Sequence, residues 1–313
     1  MRQETSILPK VIILVGPTTS GKTEWGLKLA KKCNGEIISA DSRQIYRHMN
    51  IGTAKPVGKW EFSGLRRVFF VDGIAHHLVD FLNPGKTFTA AEFRDRAMKH
   101  IKEITRAGKV PIVVGGTGLY IETLVSNYSI PRVPPNKKLR AGFEEKTTDE
   151  LVSWLGQLDP DAAATIDIHN KRRLIRALEV CILSGKQFSK QKKKGDPVFN
   201  ILKLGISVPR ETLYSRIDTR INDMIAAGLE KEVFNLAKQK YGWNLPSMSG
   251  IGYRQFKSYF EGKETLDQVI AHLKQDTKKY AKRQITWFKR DQEILWYTSV
   301  KDAEKKISTF LSP

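Results

Sequence analysis

The chain has 313 residues, 40% of them apolar and 27% charged, as in an ordinary soluble protein, and no apolar stretch reaches the roughly 18 residues of a membrane span. Two cysteines, Cys33 and Cys181, exclude a disulfide framework and a cysteine-rich zinc site, so with a short, polar N-terminal stretch we predict a cytoplasmic protein without membrane contact. The formal net charge of +20 favours a polyanionic partner such as nucleic acid, although a solvated basic surface explains the charge alone equally well.

The first part of the chain alternates strand and helix patterns. Residues 11–15 form a continuous apolar run, which is typical of a strand buried on both faces, and a helical pattern follows at 22–32. A second strand is predicted at 36–40, an amphipathic helix at 90–107, and a further strand at 111–114 that ends in two glycines. This alternation predicts an α/β fold with a parallel sheet and flanking helices.

The pattern changes after Tyr128. Prolines interrupt it, and a helical, charged stretch with a lysine run at 190–194, interpreted as a loop, precedes one more predicted strand at 201–208. We therefore predict three segments. Residues 1–128 begin the catalytic core, 129–199 form a helical insertion, and 200–313 return to the core and continue as a helical C-terminal part.

A phosphate-binding loop follows the first predicted strand. The segment matching G-x-x-x-x-G-K-[ST] is Gly16-Pro17-Thr18-Thr19-Ser20-Gly21-Lys22-Thr23. In such a P-loop the glycines let backbone amides face phosphate oxygens, and the following helix adds its positive dipole end. Lys22 is expected to neutralise a phosphate and Thr23 to bind Mg²⁺.

A P-loop recognises a diphosphate and therefore leaves two classes of enzyme open. NTP-using enzymes usually place an aspartate after a second apolar strand to help bind Mg²⁺. Residues 68–72, ending in Asp72, could form that strand, whereas the strand at 111–114 ends without an acid. A small-metabolite kinase thus stays possible beside a transferase whose substrate carries a diphosphate leaving group.

Several longer motifs identify a family. They are Asp41-Ser42-Arg43-Gln44-Ile45-Tyr46, Ile51-Gly52-Thr53-Ala54-Lys55-Pro56, His76-His77-Leu78, Gly115-Gly116-Thr117-Gly118-Leu119-Tyr120, and residues 172–179, 214–220, 250–253 and 281–288. In this order they resemble the tRNA dimethylallyltransferases of the bacterial type across nearly the whole chain. Thr19 departs from the small apolar residue usual there, at a position where the backbone makes the contacts.

The resemblance implies a P-loop core with an inserted helical domain. It also implies transfer of a dimethylallyl group from dimethylallyl diphosphate to N6 of the adenine 3′ to the anticodon, with release of diphosphate and with Mg²⁺ as cofactor. The tRNAs would be those that read codons starting with U, bound through the anticodon stem-loop by a monomeric enzyme.

Two residues are candidates for the chemistry beyond the P-loop. Asp41 follows the second strand, at the sheet edge that carries the P-loop, and the resemblance favours it as general base for the amine. Its position alone also fits a turn cap or a water-mediated Mg²⁺ contact. The resemblance places an arginine against the leaving pyrophosphate, and of Arg216 and Arg220, which share a helix face, we favour Arg220. A solvated face paired with nearby aspartates is the alternative.

The tRNA-binding residues are implied by the resemblance alone. They are Asp41, Ser42, Arg43, Gln44, Thr117, Arg172, Arg173, Leu174, Ile175, Arg176, Gly250, Ile251, Gly252, Tyr253, Arg254, Gln255, Lys282, Arg283 and Gln284. Thr117 could instead cap a helix. The helix predicted at 264–290 interleaves cations with aromatics, and we expect at least Trp287 to face the core. His76 and His77 lack a third metal ligand at a sensible spacing and are interpreted as structural or pocket-lining.

Three alternatives to tRNA modification stay open. An adenylate isopentenyltransferase would prenylate a free nucleotide and would not need the basic insertion and tail. A P-loop kinase would have to bind and turn over ATP. A non-catalytic RNA-binding protein would not need Lys22, Thr23 and Asp41.

Overall fold

The computed structural model describes residues 8–128, 131, 133–191, 195–239 and 241–312. The chain divides into two compact units. The core unit comprises Met1–Leu124 and Val198–Pro313, and the insertion unit comprises Val125–Pro197. The sequence predicted the insertion over residues 129–199.

An eight-stranded sheet organises the core unit. Its strands are β1 (Lys10–Val15), β2 (Gly35–Ser39), β3 (Lys59–Ser63), β4 (Arg66–Val71), β5 (Ile74–His77), β6 (Val110–Gly115), β7 (Asn200–Ile206) and β8 (Leu295–Tyr297), in the spatial order β3-β4-β5-β2-β6-β1-β7-β8. The six strands from β5 to β8 in this order are parallel, whereas β4 runs antiparallel to both of its neighbours. The predicted α/β class is confirmed.

The centre of the sheet is buried on both faces. Val11, Ile12, Ile13, Leu14 and Val15 of β1 are all fully buried between β6 and β7. A parallel strand covered by helices on both faces needs an unbroken apolar sequence, and this is what made β1 recognisable.

The helices of both units are numbered α1 to α13 in chain order. In the core unit they are α1 (Lys22–Lys32), α2 (Ala90–Arg106), α3 (Gly118–Val125), α9 (Arg210–Ala226), α10 (Leu229–Lys238), α11 (Phe256–Phe260), α12 (Leu266–Phe288) and α13 (Val300–Leu311). Thr89 and Thr265 begin α2 and α12 with capping boxes to Glu92 and Gln268, which satisfy amides that a helix N-terminus otherwise leaves unpaired. No helix in the described part of the chain is long and apolar enough to cross a membrane.

A second hydrophobic cluster fixes the segment that follows β2. Ile45 and Tyr46 from that segment pack with Leu213 of α9, Leu273 of α12 and Tyr253, and all five side chains are at least 98% buried. This cluster anchors the segment that follows Asp41, so the residues just after β2 are held by the helical C-terminal part.

The insertion unit is a small helical bundle. Its helices are α4 (Lys137–Glu144), α5 (Thr148–Leu158), α6 (Pro160–Thr165), α7 (Lys171–Ser184) and α8 (Phe188–Gln191). Leu151 and Leu155 of α5 pack against Leu174 and Leu178 of α7. Lys190, expected in a loop, lies in α8, and residues 192–194 of the same lysine run lie outside the described residues.

Glu179 is the buried ionic centre of the insertion unit. It is fully buried and accepts hydrogen bonds from the Asn136 amide, from Arg140 (2.6 Å and 2.8 Å) and from Arg176 (2.5 Å). Burial raises the pKa of the Glu179 carboxyl group, but the hydrogen bonds from the two guanidinium groups and the amide outweigh burial and lower the pKa to about 2. The folded state therefore needs this carboxylate ionised.

We expect Glu179→Gln to lower the free energy of unfolding by about 2 kcal/mol, because two arginines lose their charged acceptor. Since the folded-state pKa of Glu179 lies below its ordinary value of 4.5, its contribution is complete above pH 4.5 and is lost as the pH falls toward 2. Thermal denaturation between pH 7 and pH 3, followed by circular dichroism, measures both effects. Exposed Glu145→Gln is the matched control, and an equal loss in that variant would contradict the assignment.

Candidate active site

The P-loop connects β1 to α1 and adopts an unusual backbone. Gly21 has a φ of +93° and Thr19 a φ of +61°, both in the left-handed region. Gly21 precedes α1 with no side-chain cap, so the first amides of the helix remain available to an anion. Lys22 is half-buried, and its Nζ donates to the carbonyl of Pro17 at 2.6 Å.

A buried hydroxyl in this loop has no partner. Ser20 is 3% exposed, and no atom in the described part of the chain forms a hydrogen bond with its Oγ. A buried polar group without a partner is costly, and a phosphate oxygen in the loop would supply one. Thr23, one residue after Lys22, is exposed on the first turn of α1, where its hydroxyl can ligate a cation bound to that phosphate.

Asp41 lies where β2 ends, at the same sheet edge as the P-loop. Its Oδ1 accepts the amides of Arg43 (2.8 Å) and Gln44 (3.2 Å), so the turn-capping role is present in the structure. No group among the described residues donates to Oδ2. One carboxylate oxygen therefore holds the turn while the other is left for an external donor.

Electrostatics connect Asp41 with two cations. Burial, and secondarily the charge of Arg220, lower the pKa of Lys22 to about 8, although Asp41 opposes the shift. Burial also lowers the pKa of the Arg220 guanidinium, again against the effect of Asp41. The structure thus brings together Lys22, Asp41 and Arg220, three of the four side chains that the sequence predicted for the chemistry.

The choice between the two arginines of α9 follows from their exposure. Arg220 is half-buried and Arg216 is exposed. Asp218, considered as a partner for either of them, instead pairs with Lys278 at 2.7 Å. Neither arginine forms an ion pair within the described ranges, so the alternative of a salt-bridged surface face is not what the structure shows.

Two tyrosines near Asp41 were not assigned a role from the sequence. Burial and the neighbouring Asp41 charge raise the pKa of both Tyr120 and Tyr280 well above the ordinary value. Tyr120 is 5% exposed and stacks on Phe93 with ring centroids 4.3 Å apart. Both ring hydroxyls stay protonated at neutral pH and line the surroundings of the carboxylate.

Gln284 joins α12 to the P-loop. Its Oε1 accepts the amide of Thr18 at 2.8 Å, and its Nε2 donates to the carbonyl of Gly116 at 2.9 Å. The approach requires glycine, because a Cβ on Gly116 would lie 2.2 Å from Nε2. Gln284 was predicted from the resemblance as a tRNA contact; its side chain is 6% exposed and engaged within the chain.

The aromatic residues at the end of α12 differ from the expectation. Trp287 does not face the core, as it is 38% exposed, while the adjacent Phe288 is 3% exposed. One side of the Trp287 ring covers Gly118, where a Cβ would lie 2.3 Å from the indole. The prediction was wrong because helical spacing alone did not tell which of two neighbouring rings points inward.

The segment after Asp41 is tied to its surroundings. The Ser42 amide donates to Oγ1 of Thr117 at 3.1 Å, Arg43 donates to the carbonyl of Pro246, and Gln44 Nε2 bonds the carbonyls of Thr53 and Ala54. The Thr117 carbonyl accepts the Ile121 amide at 3.2 Å, so its backbone starts α3 while its hydroxyl contacts the segment after β2.

Other residues predicted to bind tRNA divide by exposure. Tyr253 is fully buried with its hydroxyl on Glu232 (2.7 Å), and Arg254 and Gln255 both bond Asp276. Gly250 and half-buried Ile251 precede them, and Gly252 has a φ of +99°. Lys282 and Arg283 are exposed on α12. On α7, Arg172 and Arg173 are exposed, Leu174 and Ile175 are buried, and Arg176 bonds Glu179.

The acid expected of a kinase is on the wrong edge of the sheet. Residues 68–71 do lie in a strand, β4, but it is antiparallel to β5, so Asp72 sits in the turn at the edge opposite the P-loop.

The two adjacent histidines form hydrogen bonds within the chain. His77 bonds Glu36 at 2.7 Å, and His76 bonds the carbonyl of Ile74 at 2.9 Å. No group of three metal-ligating side chains occurs in the described part of the chain.

Comparisons with known proteins identify the family of the chain. A family model described as IPP transferase matches residues 44–291. A tRNA dimethylallyltransferase of Roseiflexus sp. (strain RS-1) is 43% identical over 289 residues, covering 91% of this chain and 92% of the relative.

Solved structures show the same similarity. The tRNA delta(2)-isopentenylpyrophosphate transferase of Staphylococcus epidermidis has a TM-score of 0.68 and 37% identity, covering 96% of this chain and 98% of its own. A eukaryotic dimethylallyltransferase acting on tRNA has a TM-score of 0.75 and 28% identity, covering 96% and 77%. The resemblance inferred from the motifs is confirmed, and the chain belongs to the IPP transferase family.

Proposed function

We propose that this chain is a tRNA dimethylallyltransferase. It transfers a dimethylallyl group from dimethylallyl diphosphate to N6 of the adenine 3′ to the anticodon, in tRNAs that read codons starting with U, and releases diphosphate. The observation that carries the proposal is the cluster of Lys22, Arg220 and Asp41 beside the P-loop. We also propose that it acts as a cytoplasmic monomer.

The P-loop binds the diphosphate of the donor. Amides at the start of α1, the Ser20 hydroxyl and Lys22 Nζ provide its donors. Mg²⁺ fits this site because the hydroxyl of Thr23 and the diphosphate oxygens are the hard ligands it prefers. When bound, the ion neutralises charge on the leaving group, and Thr23 is the residue that would hold it.

Asp41 accepts the proton that the amine loses. The exocyclic N6 of adenine is a poor nucleophile because its lone pair is delocalised into the ring. As N6 bonds to C1 of the allylic group, the bond from C1 to the diphosphate oxygen breaks, and the N6 proton passes to Oδ2 of Asp41. Oδ1 keeps its two backbone contacts throughout, which holds the carboxylate in one orientation.

Lys22 and Arg220 stabilise the departing diphosphate. Negative charge grows on the leaving group as the C–O bond breaks, and preorganised cations stabilise that charge without first reorganising. Both cations are partly buried, so water screens them weakly. The exposed cations of α12 and α7, Lys282, Arg283, Arg172 and Arg173 among them, can bind the phosphates of tRNA.

A transfer assay with labelled dimethylallyl diphosphate and Mg²⁺ tests the function, with unmodified tRNA and AMP offered side by side. Label in the adenine 3′ to the anticodon supports the proposal. Label in AMP alone would make the protein an adenylate isopentenyltransferase. Hydrolysis of ATP with no transfer would indicate a kinase-like enzyme.

We expect Asp41→Asn to lower the single-turnover transfer rate by about two to four orders of magnitude, because the amide caps the turn but does not accept the proton. The Kd for tRNA should change little. Rapid-quench measurement of transfer and fluorescence anisotropy with labelled tRNA measure the two quantities. Asp218→Asn, at the half-buried ion pair with Lys278, is the control, and an unchanged rate in Asp41→Asn would remove Asp41 from the mechanism.

The lowered pKa of Lys22 predicts a pH-dependent affinity for the donor. With a pKa of about 8, Lys22 is largely neutral at pH 9, and binding of an anionic diphosphate raises this pKa. Donor affinity should therefore fall above pH 8, with proton uptake on binding. Isothermal titration of dimethylallyl diphosphate in buffers of different ionisation enthalpy measures the uptake. Lys22→Arg should abolish this pH dependence, and persistence of the dependence would place the titrating group elsewhere.

Gln284 is a positioning residue for the P-loop. Gln284→Leu removes both of its hydrogen bonds, worth about 1 kcal/mol each, and should raise the KM for dimethylallyl diphosphate about tenfold or more with a smaller change in kcat. Gln284→Glu keeps an acceptor for the Thr18 amide and should restore part of the loss. Exposed Gln292→Leu serves as control. A raised KM for tRNA with an unchanged donor KM would show a direct tRNA contact instead.

A further inference from the structure

A cavity of about 570 Å³ lies apart from the P-loop, between the segment after β2 and the hairpin formed by β3 and β4. We call it the hairpin pocket. Its polar and aromatic lining includes Arg47, His48, Lys55, Trp60, Arg67 and Asp80. The volume is in the range of sites that hold a nucleotide-sized ligand. None of these residues belongs to the P-loop site of Lys22, Asp41 and Arg220.

The sheet register places the hairpin pocket at the same edge of the sheet as Asp41. Phe69 of β4 pairs antiparallel with His76 of β5, so Arg67 lies level with the residues that follow β5. Since β5 is parallel to β2, this is the edge at which Asp41 follows β2. Arg47 comes six residues after Asp41, and its amide donates to the carbonyl of Leu82 at 2.8 Å.

The floor of the hairpin pocket is electrostatically satisfied. Asp80 Oδ1 receives a hydrogen bond from the buried Lys55 at 2.6 Å, and Oδ2 receives one from Nε1 of Trp60 at 3.0 Å. Both oxygens of the one lining carboxylate are therefore engaged. Its charge is neutralised by Lys55 and does not repel an incoming anion.

Two guanidinium groups of the lining remain available. Arg47 and Arg67 are exposed, and neither forms an ion pair within the described ranges. Arg67 lies over the Trp60 ring, with Cζ 5.8 Å from the ring centroid, a contact that orients the guanidinium while leaving its N–H groups free. Arg66, the next residue on β4, differs because it pairs with Glu103 at 2.8 Å.

We propose that the hairpin pocket binds a phosphate–ribose unit of the substrate RNA, outside the nucleotide that is modified. Guanidinium groups match the geometry of a phosphate, and an aromatic ring offers a surface for the sugar or a base. An RNA whose adenine reaches Asp41 has further backbone to place along the same edge. This inference rests on the proposed function, because it takes the RNA to be the tRNA substrate.

The test compares a double variant of the two pocket arginines with a single variant of Arg66. The double variant Arg47→Ala/Arg67→Ala should raise the Kd for an anticodon stem-loop RNA about tenfold and reduce the slope of log K against log salt by about 1. The KM for dimethylallyl diphosphate should stay the same. Arg66→Ala, one residue away and paired with Glu103, is the matched control and should change neither quantity. Circular dichroism checks that all variants fold.

The outcomes separate this proposal from the proposed function. A Kd and salt slope unchanged in the double variant, or changed equally by Arg66→Ala, would overturn the hairpin pocket as an RNA site. The binding shift would support the site even if the wild-type protein transferred no prenyl group. Titration with AMP tests a free nucleotide as the source of the phosphate, and AMP binding lost in the double variant with RNA binding intact would overturn the proposal.

Discussion

The site depends on one electrostatic interaction, that of two partly buried cations, Lys22 and Arg220, with the carboxylate of Asp41. Burial disfavours the charge of both Lys22 and Arg220, Arg220 further disfavours that of Lys22, and Asp41 offsets only part of the cost. Burial of like charges is unfavourable unless a counter-charge completes the site. With Ser20 unpartnered in the same loop, the protein keeps donors in excess of acceptors here. In the proposed function a diphosphate would restore the balance, and the affinity for the leaving group would then come from the unliganded fold.

The surrounding structure keeps these groups in place. The sheet sets the P-loop and Asp41 on one edge, because β1 and β2 are parallel strands separated only by β6. The C-terminal helices then close on that edge, with α9 supplying Arg220 and α12 supplying Gln284. Glycine makes the contact possible, since side chains at Gly116 and Gly118 would collide with Gln284 and Trp287. The Gly-Gly-Thr-Gly motif is thus a packing requirement as well as a marker of the family.

The elements with strong local signals could be predicted from the sequence. An unbroken apolar strand and a glycine-rich loop gave β1, the P-loop and α1, and the insertion was marked by its prolines. β4 was considered only as residues 68–72, and β3, β5 and β8 were not predicted; β3 and β8 are short and largely exposed, so they carry no buried apolar run. The buried side chain of Gln284 and the proximity of Tyr120 and Tyr280 to Asp41 also could not be predicted, since helical periodicity does not specify what a helix packs against. Asp72 was misplaced as a candidate because strand direction is a tertiary property.

The position of Gln284 between Lys282–Arg283 and the P-loop has a consequence for how the two substrates influence each other. The exposed cations and the buried amide belong to one turn of α12. An RNA that holds this turn in place would also hold Gln284 on the Thr18 amide, and a donor bound in the P-loop would fix the same turn. Any such linkage is reciprocal, because a factor gained by one ligand in the presence of the other is gained equally in reverse. Filling one site would then prepare the other for capture.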